Sequence, residues 1–195
     1  MQYRTLPVLL LSLAFVGGCT STPGTSINQQ NRNPLTASRY GDELADTMAN
    51  LVIQNDPVTK EPGVSAVINS EISRGKETAQ NARDTMDQGM QGTIIPMKES
   101  VNGYALSVND TLYFSSDFES KPGPALHVYL TTVADPRDTQ FPDKTAIDLG
   151  LLQAAYGPQQ YRIPHQDKPE LLRTIVLWDT KLKRLYGFGQ LSKRS

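Results

Sequence analysis

Beyond residue 91 the chain is built from short runs of alternating apolar and polar residues cut by Gly and Pro, and few folds accommodate that pattern. Tyr104–Val108 and Thr111–Phe114 alternate on either side of Asn109-Asp110, a dipeptide suited to a tight hairpin turn. Residues 126–130 alternate again, after the Gly-Pro punctuation between Lys121 and Pro124. Residues 92–95, 147–152, 160–163, 174–178 and 185–191 supply further short strands, and residues 131–145 read as a long surface loop. Such a series predicts a mainly β fold over residues 91–195, an antiparallel sandwich or barrel-like domain.

A different period precedes it. From Arg39, Tyr40, Leu44, Met48, Leu51 and Val52 fall at helical spacing, and Asp42, Glu43 and Asp46 lie near the start, where the helix dipole favours acids. Asn55-Asp56-Pro57 ends this helix, and Lys60-Glu61-Pro62-Gly63 forms a turn. Residues 64–90 read as a second helix, with Val64, Ile68, Ile72, Ala79, Ala82, Met86 and Met90 along one face and Gly75 and Lys76 weakening its middle. Residues 37–90 are thus expected to form an α-helical hairpin. Its stripe is too narrow for an independent bundle, which predicts packing on the β-domain or on an envelope protein partner. Residues 19–36, rich in Ser, Thr, Asn, Gln and Pro, read as a flexible tether.

The single cysteine closes the motif Val16-Gly17-Gly18-Cys19. Arg4 precedes an almost wholly apolar run, which has the ~7–15 residues of a secretory signal and not the ~20 of a membrane span. The motif resembles a bacterial lipoprotein signal with its lipobox. The resemblance implies that residues 1–18 are removed and that Cys19 takes a diacylglyceryl group and an amide-linked acyl chain such as palmitate, tying the protein to the bilayer. Two or three chains make a durable anchor, whereas one binds marginally. Thr20, not Asp, follows the cysteine, which implies the outer membrane, facing the periplasm, in a Gram-negative envelope and otherwise the outer face of the plasma membrane. Lipidation consumes the only thiol, leaving no disulfide, thiolate nucleophile or Cys-ligated metal. The domain must then be held by its own apolar core.

Lys plus Arg is 19 and Asp plus Glu is 20, a net charge of −1. That balance carries no excess of cations to displace counterions from nucleic acid, so no nucleic acid partner is expected.

Residues 90–191 resemble the electron transfer DM thirteen domain family. The likeness rests on pieces in order: Gly92-Thr93-Ile94; residues 112–118 followed by Gly123-Pro124-Ala125-Leu126-His127-Val128-Tyr129-Leu130; Leu149-Gly150-Leu151-Leu152; Gly157 and Tyr161-Arg162-Ile163-Pro164; then residues 174–178 and 186–191. It implies a small extracytoplasmic β-domain with a proposed redox role tied to a cysteine that commonly follows the tryptophan of the penultimate strand. Here Trp178 is followed by Asp179, and a carboxylate does not cycle between thiol and disulfide. Ala125 and Leu182 also depart from the family pattern, which often has an acid and a Phe at those positions.

Other candidate chemistry is sparse. His127 lies in an alternating strand and His165 in a loop; with Asp179 they form a conceivable zinc or copper set that lacks ligand spacing. Met86 and Met90 at helical i,i+4 spacing, with Met97, are thioether donors suited to copper(I), although Met at that spacing is commonly core filler. Trp178, Tyr129, Tyr156 and Tyr161 are candidate pocket aromatics. Asp117 and Glu119 form a carboxylate pair, and Lys181, Lys183 and Arg184 a basic turn. Motifs of serine hydrolases, zinc proteases and phosphate loops are absent. The chain therefore reads as a membrane-anchored, non-catalytic binding or interaction module with no assigned cofactor. The alternative is an extracytoplasmic electron-transfer or metal-handling protein.

Overall fold

The computed structural model describes residues 32–193; the lipobox and most of the tether lie outside them. Two helices, α1 (Pro34–Ile53) and α2 (Val64–Asp87), precede twelve strands in three antiparallel sheets. The first sheet runs β12-β1-β4-β5-β9, with β1 Met90–Thr93, β4 Tyr104–Val108, β5 Thr111–Phe114, β9 Gln159–Arg162 and β12 Ser192–Lys193. The second runs β2-β11-β10-β7-β8, with β2 Ile95–Pro96, β7 Leu126–Thr131, β8 Ile147–Leu151, β10 Thr174–Asp179 and β11 Arg184–Gln190. A two-residue pair, β3 (Val101–Asn102) with β6 (Glu119–Ser120), closes one corner.

Alternation decides what each strand buries. Leu126, Val128 and Leu130 of β7 and Ile175 and Leu177 of β10 meet Leu112, Phe114 and Tyr161 of the first sheet in one core between the layers. Phe118 stacks on Phe114 at 4.5 Å between ring centroids. Along one seam the chain itself joins the layers, β1 running into β2 and β11 into β12. Beside edge strand β9, buried Gln159 ties in the segment after β8: its Oε1 accepts from the N–H of Gln153 and Ala154 at 3.0 Å and from Tyr161 Oη at 2.8 Å. The sandwich is accordingly barrel-like, as the strand pattern predicts. The Asn109-Asp110 turn has both residues at positive φ (49° and 55°), matching the right-handed twist of its strands.

The helices depart from the expected pattern. Helix α1 opens at Pro34, ahead of the expected start at Arg39 and inside the stretch read as tether. Asn33 caps it, accepting from the Leu35 N–H at 3.0 Å, and Pro34 fills the first turn, where a missing N–H costs nothing. The Asn33 Nδ2 also donates to the Phe114 carbonyl at 2.7 Å, so one side chain starts the helix and fastens it to β5. Helix α2 ends at Asp87, and Met90 lies in strand β1 instead of on the helix face.

The contact faces differ too. Tyr40, Leu44, Met48 and Leu51 are half-buried and Val52 is exposed; the buried stripe is Ala37, Gly41 and Ala45 on α1 against Gly75, Ala79 and Ala82 on α2. Small residues let the two backbones touch. A Cβ built on Gly41 would sit 2.5 Å from the Gly75 carbonyl oxygen, and one on Gly75 would sit 2.6 Å from that of Gly41. Gly75 is therefore the point of closest approach rather than a weak spot. The Asp42–Arg83 ion pair at 2.9 Å flanks the crossing. The hairpin rests on the first sheet by its open end, through Asn33 and through the Gln91 side chain, which donates to the Met86 carbonyl at 3.2 Å.

Gly75→Val places methyl groups against backbone that has no room to yield, and overpacking of this kind costs about 1–3 kcal/mol or more. Expected in this variant are a lowered melting temperature and protease cleavage within residues 34–87 while the sandwich stays resistant. An unchanged melt and digestion pattern would contradict the backbone contact.

Candidate functional site

Two positions carry the chemistry that the sequence singles out, and they lie on opposite faces of one sheet. On β10, Ile175, Leu177 and Asp179 point into the sandwich, whereas Val176 and Trp178 point outward. Asp179 and Trp178, adjacent in sequence, therefore do not share a site.

Asp179 is fully buried. Its Oδ1 accepts from the N–H groups of Lys181 at 3.0 Å and Leu182 at 2.8 Å, turning the chain between β10 and β11. Its Oδ2 accepts from the Ala125 N–H at 3.0 Å, at the entry to β7. Gly123 leaves the space this needs, because a Cβ there would sit 2.5 Å from Asp179 Oδ2 and 2.8 Å from Tyr186 Oη. Burial alone would push the carboxyl up, but the N–H groups of Leu182, Ala125 and Lys181, helped by the Lys181 charge, outweigh it and hold Asp179 below the ordinary aspartate value. The position where the resembled family carries a thiol is thus a carboxylate clasp binding three backbone donors.

The outer face is arranged differently. His127 projects from β7, and its Nδ1 lies 2.9 and 3.0 Å from the two oxygens of Asp148 on β8. Asp148 Oδ1 also accepts from the Gly150 N–H at 2.8 Å. Burial, then the Asp148 charge and a hydrogen bond to it, push the Tyr129 phenol up to about 12. The Tyr129 ring packs edge-on to Phe141 at 5.3 Å, and Phe141 lies 5.3 Å from Trp178. Phe141 belongs to the 131–145 loop, which folds over half of this face and makes a second small core with Tyr129, Val176 and Phe188. Arg137 of the same loop stacks over Phe188 at 5.2 Å.

The remaining candidates are dispersed. Met86 lines an open cleft of about 440 Å³ between the hairpin and the first sheet. Met90 packs on the main core and Met97 on the outer cluster, so the three thioethers do not converge. His165 sits exposed in the loop after β9. Among the described residues no group of three or more His, Cys, Asp or Glu side chains is placed to hold a metal ion. Tyr161 is a core residue whose phenol burial pushes up to about 12 against a Gln153 N–H bond, and Tyr156 is exposed; neither joins Trp178. Asp117 lines the same cleft as Met86, and Glu119 begins β6. Lys183 lies in the turn that Asp179 closes, with φ of 51°.

Sequence reasoning overlooked Asp148 and Asn33, which act on partners 21 and 81 residues away, and Gln159, which ties together its own neighbourhood. Only Asn33 carried a local signal, the Asn-Pro pair that opens a helix.

The fold is that of a small, all-antiparallel β-sandwich preceded by a helical hairpin. Residues 96–191, nearly all of the β-domain, match the model of the family described as Electron transfer DM13. The hairpin lies outside the match. No curated protein and no solved structure matches the chain.

Replacing Asp179 by Asn turns an amide N–H₂ toward backbone N–H groups and leaves at least one buried donor unpaired. The expected loss is about 1–3 kcal/mol at neutral pH, read by denaturant unfolding. Because the folded Asp179 titrates below the unfolded value of ~3.9, its stabilisation is fully present above that pH and disappears as pH falls through the folded value. The Asn variant should therefore lose less stability than the parent on acidification. Equal stability of the two proteins at neutral pH would contradict the clasp.

Proposed function

We propose that this protein is a lipid-anchored extracytoplasmic interaction module, tied to the bilayer through Cys19 and working without catalysis. The observation that carries this reading is the free end of the helical hairpin. Val52, Ile53, Val58 and Val67 are exposed there, Ile53 at 73 %, around the short 3-10 turn Pro57–Lys60. A helix of 20 residues is about 30 Å long, so these side chains stand well away from the end fastened to the sandwich. Four aliphatic side chains at the end of a projecting hairpin suit an envelope protein with an apolar groove.

The DM13 domain supports this role as a rigid base. Thiol–disulfide exchange forms no part of it, because position 179 holds a carboxylate committed to three backbone donors. The anchor rests on the lipobox resemblance at Val16-Gly17-Gly18-Cys19, and Thr20 favours the periplasmic face of the outer membrane in a two-membrane envelope. No helix among the described residues is long and apolar enough to cross a membrane.

Two measurements in the native host test the proposal. Cys19→Ala should abolish incorporation of labelled palmitate and release the protein from the membrane fraction; unchanged labelling and fractionation would refute the anchor. A photo-crosslinking residue at position 53 should yield a discrete adduct that Val67→Glu removes. Crosslinking no stronger than at exposed position 73, on the helix flank, would refute the hairpin as the contact.

A further inference from the structure

The outward face of the second sheet carries two irregularities at the same level, one on each side of the β7–β10 pair. In β8 the register shifts between its pairings with Val128 and Tyr129, so that Asp148 opposes Tyr129 while Leu151 opposes His127. In β11 it shifts opposite Leu177 and Trp178, so that Phe188 opposes Val176 while Leu185 opposes Trp178. Leu149 is the extra residue in β8, and Gly150 beside it takes a φ of 108°. Regular pairing would turn one of each set inward. The bulges bring both rows to the outside, and bulges that re-aim side chains are enriched beside functional sites.

One row, Asp148-Tyr129-Val176-Phe188, is largely roofed by Phe141 and Arg137. The other, Leu151-His127-Trp178-Leu185, is only partly covered: Trp178 and Leu185 pack half-buried against the Phe141 cluster, while Leu151 stands exposed at the sheet edge. It holds the only tryptophan of the chain. Leu151 is 60 % exposed, and His127 shows 22 % of its side chain. The His127 Nδ1 is held by Asp148. Asp148, whose side chain is 42 % exposed, keeps lone pairs toward solvent.

From this arrangement we infer that the Leu151-His127-Trp178-Leu185 strip is a binding site for a neutral saccharide of the cell envelope. A sugar ring has an apolar C–H face and a rim of hydroxyls. The first packs along Leu151 and the uncovered part of the Trp178 indole, and the second meets the fixed imidazole and carboxylate. This is the aromatic surface with a few placed polar groups that small-ligand sites use. Charge points the same way. The Asp148 carboxylate repels an anionic ligand, and no group of three His, Cys, Asp or Glu side chains among the described residues is placed to hold a cation there. Size disfavours a protein at this face: four strands ~4.8 Å apart and one to two rows of side chains give on the order of 100–200 Å² of open strip. A stable protein interface needs about 800 Å² per partner. The site lies on the sandwich and does not depend on the hairpin contact or on the anchor.

Calorimetric titration of the mature protein with tetramers of N-acetylglucosamine and of glucose tests the inference. Saturable binding of at least one tetramer is expected. It should weaken about tenfold or more in His127→Ala and in Leu151→Ala, surface changes that spare the core, and persist in Leu171→Ala, an exposed leucine outside the strip. Trp178→Phe, which keeps most of the ring volume, should weaken it as well. No heat with either tetramer at millimolar concentration, or binding unaltered by His127→Ala and Leu151→Ala, would overturn the assignment, as would a protein crosslinked in the native host through a photo-reactive residue at position 151.

Discussion

The carboxylate of Asp179 ties together the entry to β7, the end of β10 and the turn into β11, where the backbone pairing of β10 with its two neighbours ends. These are the three central strands of the second sheet. Their mutual register places Trp178 opposite His127 and Val176 opposite Tyr129. It also aligns Phe188 with the aromatic cluster that the 131–145 loop covers. A buried carboxylate is tolerable only when donors replace its lost hydration, and here they are backbone amides, which cannot rotate away. At the position where the family resemblance places a cysteine, this chain has a carboxylate that serves as a fastening point.

The two surfaces proposed for contacts lie outside the main core. The hairpin is fastened at one end through Asn33 and meets itself through Gly41 and Gly75. Such close backbone contact gives a stiff rod without a wide apolar stripe, which leaves the larger aliphatic residues of its far end for other contacts. The bulged face of the second sheet carries the smaller core under the 131–145 loop and leaves Leu151 exposed beside it. Both surfaces follow from the same economy, in which small residues and backbone hydrogen bonds supply rigidity.

Much of the β-domain was legible because strand alternation is a local property: the hairpin at Asn109-Asp110 and the cores of β7 and β10 are read directly from residue order. The two-residue strands β2, β3, β6 and β12 were not, since tertiary pairing alone defines them. The bulges were hidden because Asp148-Leu149-Gly150-Leu151 alternates smoothly on paper, and only the register with β7 reveals the extra residue. In the helices, periodicity located the elements but misjudged the faces. It weighted Leu44, Met48 and Leu51, whereas close packing selected Ala37, Gly41 and Ala45. The departure at Asp179 was visible in sequence, but its partners Ala125 and Leu182 became evident only in the fold. His127 found its carboxylate 21 residues away on an edge strand, with no spacing to announce it.

Amide hydrogen exchange in the mature protein tests the fastening role of Asp179 most directly. The N–H groups of Ala125, Lys181 and Leu182 should be protected to the level of the central strands, and all three should lose protection together in Asp179→Asn. Exchange of these amides at the rate of free loop positions in the parent protein would contradict the view of Asp179 as the clasp of the domain.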